Sequence, residues 1–320
     1  MVGSIINPVT DSYHYNPDKH IPDLSSKVIV VTGGNSGTGK ASVLHLAKHN
    51  PGRLYLAARS KAKYDGAMDE IYKVVPDAKV DYLELDLASF ASIKRAADTV
   101  LSSNDRLDIL INNAGVMGLN PGLTQDGYEI HFGTNHMGHA LFTKLLMPLL
   151  LETAEQPGSD VRIVNLTSTA HNLAPKGGFQ PNTVTTTMAD VHSYVRYGQS
   201  KMANILFTRK LAKRYPSIKS VAVHPGRVQT PLLDPMFEKK NATVYFQKFY
   251  DALASPLTPE QGAYTSLWAA TWPKKEDVVN GAHYVPFGKL SAGDKRSRDM
   301  ALADRLWDWQ EEEFKKRGYA

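Results

Sequence analysis

Tyr197-Gly198-Gln199-Ser200-Lys201 sets a phenol and an ammonium four residues apart. On an α-helix, positions at that spacing share a face. A neighbouring ammonium favours the phenolate and lowers the phenol pKa. A tyrosine tuned toward neutrality can give a proton to an oxygen on a reacting carbon, or take one back. Tyrosine and lysine are both common on helix surfaces, so this spacing alone is a weak signal whose meaning depends on its company.

That company lies at the ends of apolar runs. Thr167-Ser168 closes the run 161–166, and Asn112-Asn113-Ala114-Gly115 closes the run 107–111. Open α/β sheets bind ligands beyond the carboxyl ends of their strands, where these residues would stand. The first apolar run, Val28-Ile29-Val30-Val31, leads into Thr32-Gly33-Gly34-Asn35-Ser36-Gly37-Thr38-Gly39. Glycines in a strand-to-helix turn let the backbone approach a pyrophosphate, and the helix N-terminus supplies amide donors. Gly34-x-x-x-x-Gly39-Lys40 also fits the first part of a P-loop. The next residue is Ala41, where a magnesium-holding hydroxyl is required, which argues against a nucleotide triphosphatase.

The second apolar run ends in Ala57-Ala58-Arg59-Ser60-Lys61. A site for NAD normally carries a carboxylate here, for the ribose 2′-hydroxyl. This chain has none at that place. Arg59 offers a guanidinium fork suited to a 2′-phosphate, which points to NADP(H).

These residues need a scaffold, and the pattern predicts one. Short apolar runs alternate with amphipathic stretches. Strands are expected near 28–31, 54–57, 80–85, 107–111, 161–166, 220–223 and 283–285. Helices are expected over 38–49, 61–74, 89–101, 124–151, 194–215 and 258–270, with a C-terminal helix within 301–318. Continuously apolar strands alternating with helices imply a parallel sheet covered on both faces. The expected fold is therefore α/β: a single domain with a doubly wound, mainly parallel, seven-stranded sheet. No composition break divides the chain. We expect an N-terminal tail over 1–25, the domain over 26–290 and a helical tail over 291–320.

Composition narrows the classes. The chain has 320 residues, 42% hydrophobic and 22% charged, which is ordinary for a globular protein. The absence of cysteine removes disulfides, thiolate metal sites and a cysteine nucleophile. No apolar run is long enough to span a bilayer, and the first residues do not resemble a signal peptide, so a cytoplasmic location is expected. The Asn165 and Asn241 sequons are read as chance on the same ground. The formal charge of +5 is spread out, with neither the basic stripe nor the reading motif of a nucleic-acid binder.

Taken in order, the motifs resemble those of the short-chain dehydrogenase/reductase family from about residue 26 to about residue 285. They are Thr32-Gly33-x-x-x-Gly37-x-Gly39, Asp86, Asn112 to Gly115, Asn135, Ser168, Tyr197-x-x-x-Lys201 and Pro225-Gly226. Ala57-Ala58-Arg59 and Leu306-Trp307-x-Trp309 look most like the retinol-dehydrogenase-like branch and its fungal relatives. The resemblance implies a Rossmann fold and roles for its residues. Tyr197 would be the proton donor or acceptor, Lys201 would tune it and hold the nicotinamide ribose, and Ser168 would bind the substrate oxygen. Asn135 would hold a helix distortion and a water. Gly33, Asn35, Ser36, Gly37, Thr38 and Gly39 would cradle the pyrophosphate. Asp86, Leu87, Asn113, Ala114 and Gly115 would line the adenosine side, and Asn112 would tie the central strands together. Pro225, Gly226, Val228 and Thr230 would meet the nicotinamide. The helices after Thr124 and Tyr194 would be a dimer surface.

Thr38 departs from the family pattern, which has an aliphatic residue there. The segment 171–192, rich in Thr, Pro and Gly, is longer than usual and is expected over the mouth of the site. Within it His171 and His192 are candidate substrate contacts. Met236 and Phe237, in an aromatic capping region over 231–257, are two more. His131, His136 and His139 lack a completing ligand at a familiar spacing, so no metal is expected. The implied function is NADPH-dependent reduction of a ketone or aldehyde on a hydrophobic, aromatic or polyketide-like molecule, or oxidation of the matching alcohol. The same fold could also serve a non-redox reaction or an NADP(H)-binding sensor or scaffold.

Overall fold

The computed structural model describes residues 15–229 and 256–319. Its centre is an eight-stranded sheet of order β3-β2-β1-β4-β5-β6-β7-β8. The strands are β1 (Val28–Thr32), β2 (Arg53–Ala58), β3 (Asp81–Glu84), β4 (Ile109–Asn112), β5 (Arg162–Leu166), β6 (Lys219–Val223), β7 (His283–Val285) and β8 (Lys289–Ser291). The β1 to β7 pairings are all parallel, and β8 runs antiparallel to β7. The expected seven strands thus become eight. The added edge strand comes from a tight reversal at Phe287 and Gly288, both at positive φ.

Nine helices are described: α1 (Pro17–His20), α2 (Gly37–Ala47), α3 (Lys61–Tyr72), α4 (Phe90–Ser103), α5 (Ile130–Phe132), α6 (Gly138–Glu155), α7 (Ser193–Arg214), α8 (Pro259–Thr271) and α9 (Met300–Lys316). Local sequence sets several of their starts. Ser60, Ser89 and Asp299 cap α3, α4 and α9 with side-chain oxygens, and Thr258 with Gln261 forms a capping box on α8.

Strands buried on both sides need cover on both, and two apolar clusters provide it. One packs Val43, Leu46, Met68, Ile71, Leu267 and Trp268, from α2, α3 and α8, on one face. The other packs Ile93, Leu141, Leu146, Met202 and Leu206, from α4, α6 and α7, on the opposite face. The chain changes direction across the sheet between β1 and β4, which opens a crevice at their carboxyl ends.

The expected helix over 124–151 is broken. Residues 124–129 form a turn with Gly127 at positive φ, and a π-turn over Gly133–Met137 separates α5 from α6. Such a turn inside an α-helix commonly marks a functional position.

α9 forms an outer layer on α6 and α7. Trp307 stacks on Phe207 at 5.7 Å, Phe314 meets Phe90 edge-on at 5.7 Å, and Lys144 pairs with Glu311 at 2.8 Å. Segment 171–192 joins it through Phe179, which stacks on Phe132 at 5.6 Å and packs against Trp309. The C-terminal helix thus covers part of the α7 surface.

Burial holds His136 down to about 4, and His139 and His283 down to about 3. Each stays neutral in the fold, whereas the unfolded chain takes up protons near the ordinary histidine value of about 6.5. Stability contributed by these groups is complete above about 6.5 and falls as pH drops toward their folded values. Urea unfolding at stepwise lower pH is expected to show the midpoint falling steadily below about pH 6.5.

Candidate active site

The crevice begins at the glycine turn. Gly33 takes the left-handed φ of 66°. Gly39 lets α2 sit directly on the turn, since a Cβ there would stand 2.2 Å from the Gly33 carbonyl oxygen and 2.5 Å from Asn113 Nδ2. Ser36, at the N-cap of α2, makes no side-chain cap bond, and the first turn of α2 holds no acidic residue. That end of the helix is left open to an anionic group.

A buried chain of hydrogen bonds carries this geometry inward. The Thr32 hydroxyl accepts from the amides of Asn113 and Ala114 at 2.9 and 3.0 Å and meets His139 Nε2 at 2.9 Å. His139 Nδ1 lies 3.0 Å from the Asn135 carbonyl, so it carries the proton and Nε2 accepts from Thr32. Thr38 donates to Asn113 Oδ1 at 2.9 Å, which gives the unusual hydroxyl at that position a partner. Asn112 donates to Asn165 and Thr143, tying β4 to β5 and α6.

Beside the glycine turn, past the end of β2, Arg59, Ser60 and Lys63 line the crevice wall. Ser60 also accepts from the Lys63 amide at 3.3 Å, capping α3. Lys63 was not singled out from sequence. Its signal was the four-residue spacing from Arg59 across the Ser60 cap.

Across β4 from them, Ser168, Tyr197 and Lys201 line the same crevice. Ser168 follows β5, and its loop presses against α7 because Gly198 leaves room: a Cβ there would stand 2.4 Å from the Ala170 carbonyl oxygen. Lys201 Nζ donates to the Leu166 carbonyl at 3.1 Å and lies 5.6 Å from the Tyr197 ring centre. Asn135, within the π-turn, accepts from the Val116 amide at 2.7 Å and donates to Ser200 Oγ at 3.0 Å. Its expected helix distortion is present.

The electrostatics differ from the sequence expectation. Burial pushes the Tyr197 phenol up to about 12, while its hydrogen bond with Ser168 pulls the other way. Burial also pushes the Lys201 ammonium down to about 8. Both groups are nearly enclosed, and Lys201 is turned toward the Leu166 carbonyl, so desolvation outweighs the attraction between ammonium and phenolate.

The expected cofactor set is largely brought together. Gly33, Asn35, Ser36, Gly37, Thr38, Arg59, Leu87, Asn113, Ala114, Gly115, Pro225, Gly226 and Val228 all line one continuous cleft with Ser168, Tyr197 and Lys201. Asp86 stands between the lining residues Leu85 and Leu87, and its carboxylate accepts from the Ala88 amide at 3.0 Å. The cleft, about 1320 Å³, exceeds the size of most single-ligand pockets and suits a dinucleotide with a small substrate. A Cβ at Gly115 would come within 3.5 Å of Lys201 Nζ, so the bare backbone there leaves open the space that Lys201 faces.

The substrate candidates fare differently. His171 is buried: its Nδ1 lies 2.7 Å from the Ser168 carbonyl, and its Nε2 accepts from the Asp294 amide at 3.3 Å. It braces the backbone of Ser168 instead of facing the cleft, because the segment after β8 closes over it. His192 caps α7 by accepting from the Tyr194 amide, and its ring stacks on Tyr194 at 5.5 Å. It therefore backs a cleft residue without lining the cleft. Thr230, Met236 and Phe237 lie outside the described residues. The walls beyond Ser168 and Tyr197 come instead from Val116, Met117, Leu119, Asn172, Leu173 and Tyr194. Only the start of segment 171–192 reaches the cleft. Phe179, Val184 and Met188 anchor the rest in the body.

A doubly wound sheet with a serine, a tyrosine and a lysine in the crevice at its switch point defines a dehydrogenase class, and known proteins agree. Residues 27–180 match the family model described as short chain dehydrogenase. The chain is 37% identical over 313 residues to the short-chain dehydrogenase/reductase drtF of Aspergillus calidoustus, covering 93% of this chain and 96% of that one. It is also 37% identical over 322 residues to an uncharacterized oxidoreductase of Schizosaccharomyces pombe, covering 97% and 93%. Among solved structures, an uncharacterized protein from Mycobacterium paratuberculosis superposes with a TM-score of 0.71 at 27% identity, over 94% of this chain and 97% of that one. The chain belongs to the short-chain dehydrogenase/reductase family, in its fungal branch.

Gly39→Ala should weaken binding of a nicotinamide dinucleotide at least about tenfold, since the turn must shift to admit the methyl group. Fluorescence titration checks this, with circular dichroism to show that the fold persists.

Proposed function

We propose that this oxidoreductase transfers hydride from NADPH to a ketone or aldehyde of a hydrophobic small molecule. The observation that carries the reading is one cleft that holds Ser168, Tyr197 and Lys201 past β5 and Arg59 with Lys63 past β2. Two cations and no carboxylate at the end of β2 favour a 2′-phosphate over a free 2′-hydroxyl. NADPH, when bound, supplies the hydride.

The side chains supply the rest. A phenol held at about 12 keeps its proton at neutral pH and is ready to donate it. The Ser168 hydroxyl, on a backbone braced by His171, can hold the substrate oxygen near that phenol. As negative charge builds on that oxygen, the buried Lys201 ammonium stabilises it in a medium of low dielectric. Below about pH 8 Lys201 carries its charge, and that assistance fades as pH rises through this value. Val116, Met117, Leu119, Leu173 and Tyr194 offer an apolar surface on the substrate side, which suits an aromatic or alicyclic carbonyl. The same groups run alcohol oxidation in reverse. No described helix is long and apolar enough to cross a membrane.

A screen of carbonyl compounds against NADPH absorbance is expected to find turnover. Tyr197→Phe should lower it about 10²-fold or more while NADPH binding holds within about twofold. Unchanged turnover of a proven substrate would overturn the proton-transfer role, and retained cofactor binding separates lost chemistry from lost fold.

Arg59→Ala should cut the preference for NADPH over NADH by about tenfold or more, measured as the ratio of their dissociation constants. An unchanged ratio would remove the phosphate assignment.

A further inference from the structure

Directly behind Tyr197 lies a group of polar residues that the reaction does not use. Glu129, His131 and Arg196 are at most 2% exposed. Arg196 Nη1 donates to Glu129 Oε1 at 2.8 Å, and the same oxygen lies 2.8 Å from His131 Nδ1. The second carboxylate oxygen accepts from the Phe132 amide at 2.8 Å. The Leu119 amide donates to His131 Nε2 at 3.3 Å, so that nitrogen carries no proton and Nδ1 must donate to Glu129. The cluster is thus one cation, one anion and a neutral imidazole of fixed tautomer.

What it holds is specific. Arg196 Nη2 donates to the Leu119 carbonyl at 2.9 Å, so both polar groups of that residue's backbone are gripped. Arg196 Nε reaches the Val191 carbonyl at 3.2 Å, and the Glu129 amide donates to the Val184 carbonyl at 2.8 Å. Arg196 is the residue before Tyr197, and the His131 ring stands edge-on to the Tyr197 ring at 6.3 Å. One cluster therefore fastens the catalytic helix, the Val116–Leu119 wall and the long segment before α7. Buried ion pairs add little net stability beside well-packed apolar side chains, so stability alone is a poor reason for this one.

We propose that Glu129, His131 and Arg196 are positioning residues that hold the Leu119 wall at a set distance from Tyr197 and so determine which carbonyl substrates fit. The specificity part rests on the reductase reading above. The clamp itself does not.

The test uses the full-length protein with His131→Phe, which keeps the ring packing on Tyr197 but removes both polar ends. Arg196→Lys keeps the charge but loses the guanidinium's grip on Leu119 and Val191, and it serves if His131→Phe fails to fold. Hydrogen exchange should quicken at residues 116–122, with NADPH affinity held within about twofold, since the cofactor wall is untouched. With benzaldehyde and phenanthrenequinone as probes, kcat/KM should fall about tenfold or more for one probe than for the other, through KM more than kcat. Unchanged exchange at 116–122 in a folded variant would overturn the clamp. Quickened exchange with an unchanged ratio between the probes would overturn its role in specificity. If the unmodified protein reduces neither probe, the reductase reading is what fails, and exchange still decides the clamp.

Discussion

The site depends on the hydroxyl of Thr32. It is fully enclosed at the carboxyl end of β1, where it takes up two backbone amides from the end of β4 and reaches His139 on α6. A buried hydroxyl with fewer partners would be a cost to the fold. Saturated, it fixes the spacing between the glycine turn, the Asn113–Gly115 stretch and the π-turn that carries Asn135. The first two line the cofactor side of the cleft, and the third supports the catalytic helix through Ser200. One side chain thus sets the separation of two walls that belong to different crossovers of the sheet.

The sheet and the cofactor side were legible in the sequence because their signals are local. Apolar runs of four to six residues mark β1, β2, β4 and β5, and the glycine turn announces itself by spacing. Tyr197 and Lys201 were legible only through their neighbours at the strand ends. β8 was not, because its three residues are largely exposed and carry no apolar pattern. The π-turn was not, since a local change of helical register alters no composition. The place of His171 in a long loop near Ser168 suggests a substrate contact. Its inward direction is set by Asp294, far along the chain and close in space. The clamp behind Tyr197 joins residues 67 positions apart, a relation that no local spacing expresses.

The tuning of the reactive pair was also out of reach of spacing. Sequence says that a lysine lies one helical turn from a tyrosine. Whether the ammonium lowers the phenol depends on how much water each group has lost. Here both have lost nearly all of it, and each is driven toward its neutral form. The result is a phenol that keeps its proton at neutral pH beside an ammonium that gives its proton up more readily than a free lysine.

The π-turn over Gly133–Met137 also bears on how the chain can be read and altered. A turn of this kind holds one residue more than the helix around it needs. Successive residues of an α-helix are offset by about 100°, so residues before the turn and those of α6 lie out of phase by that angle. Removing a single residue from the turn would bring them into one register and yield a smoother helix. It would also rotate Asn135 away from Val116 and Ser200. The irregularity therefore acts as a phase shifter: it lets one helix pack its apolar side on the sheet and still aim one amide at the site.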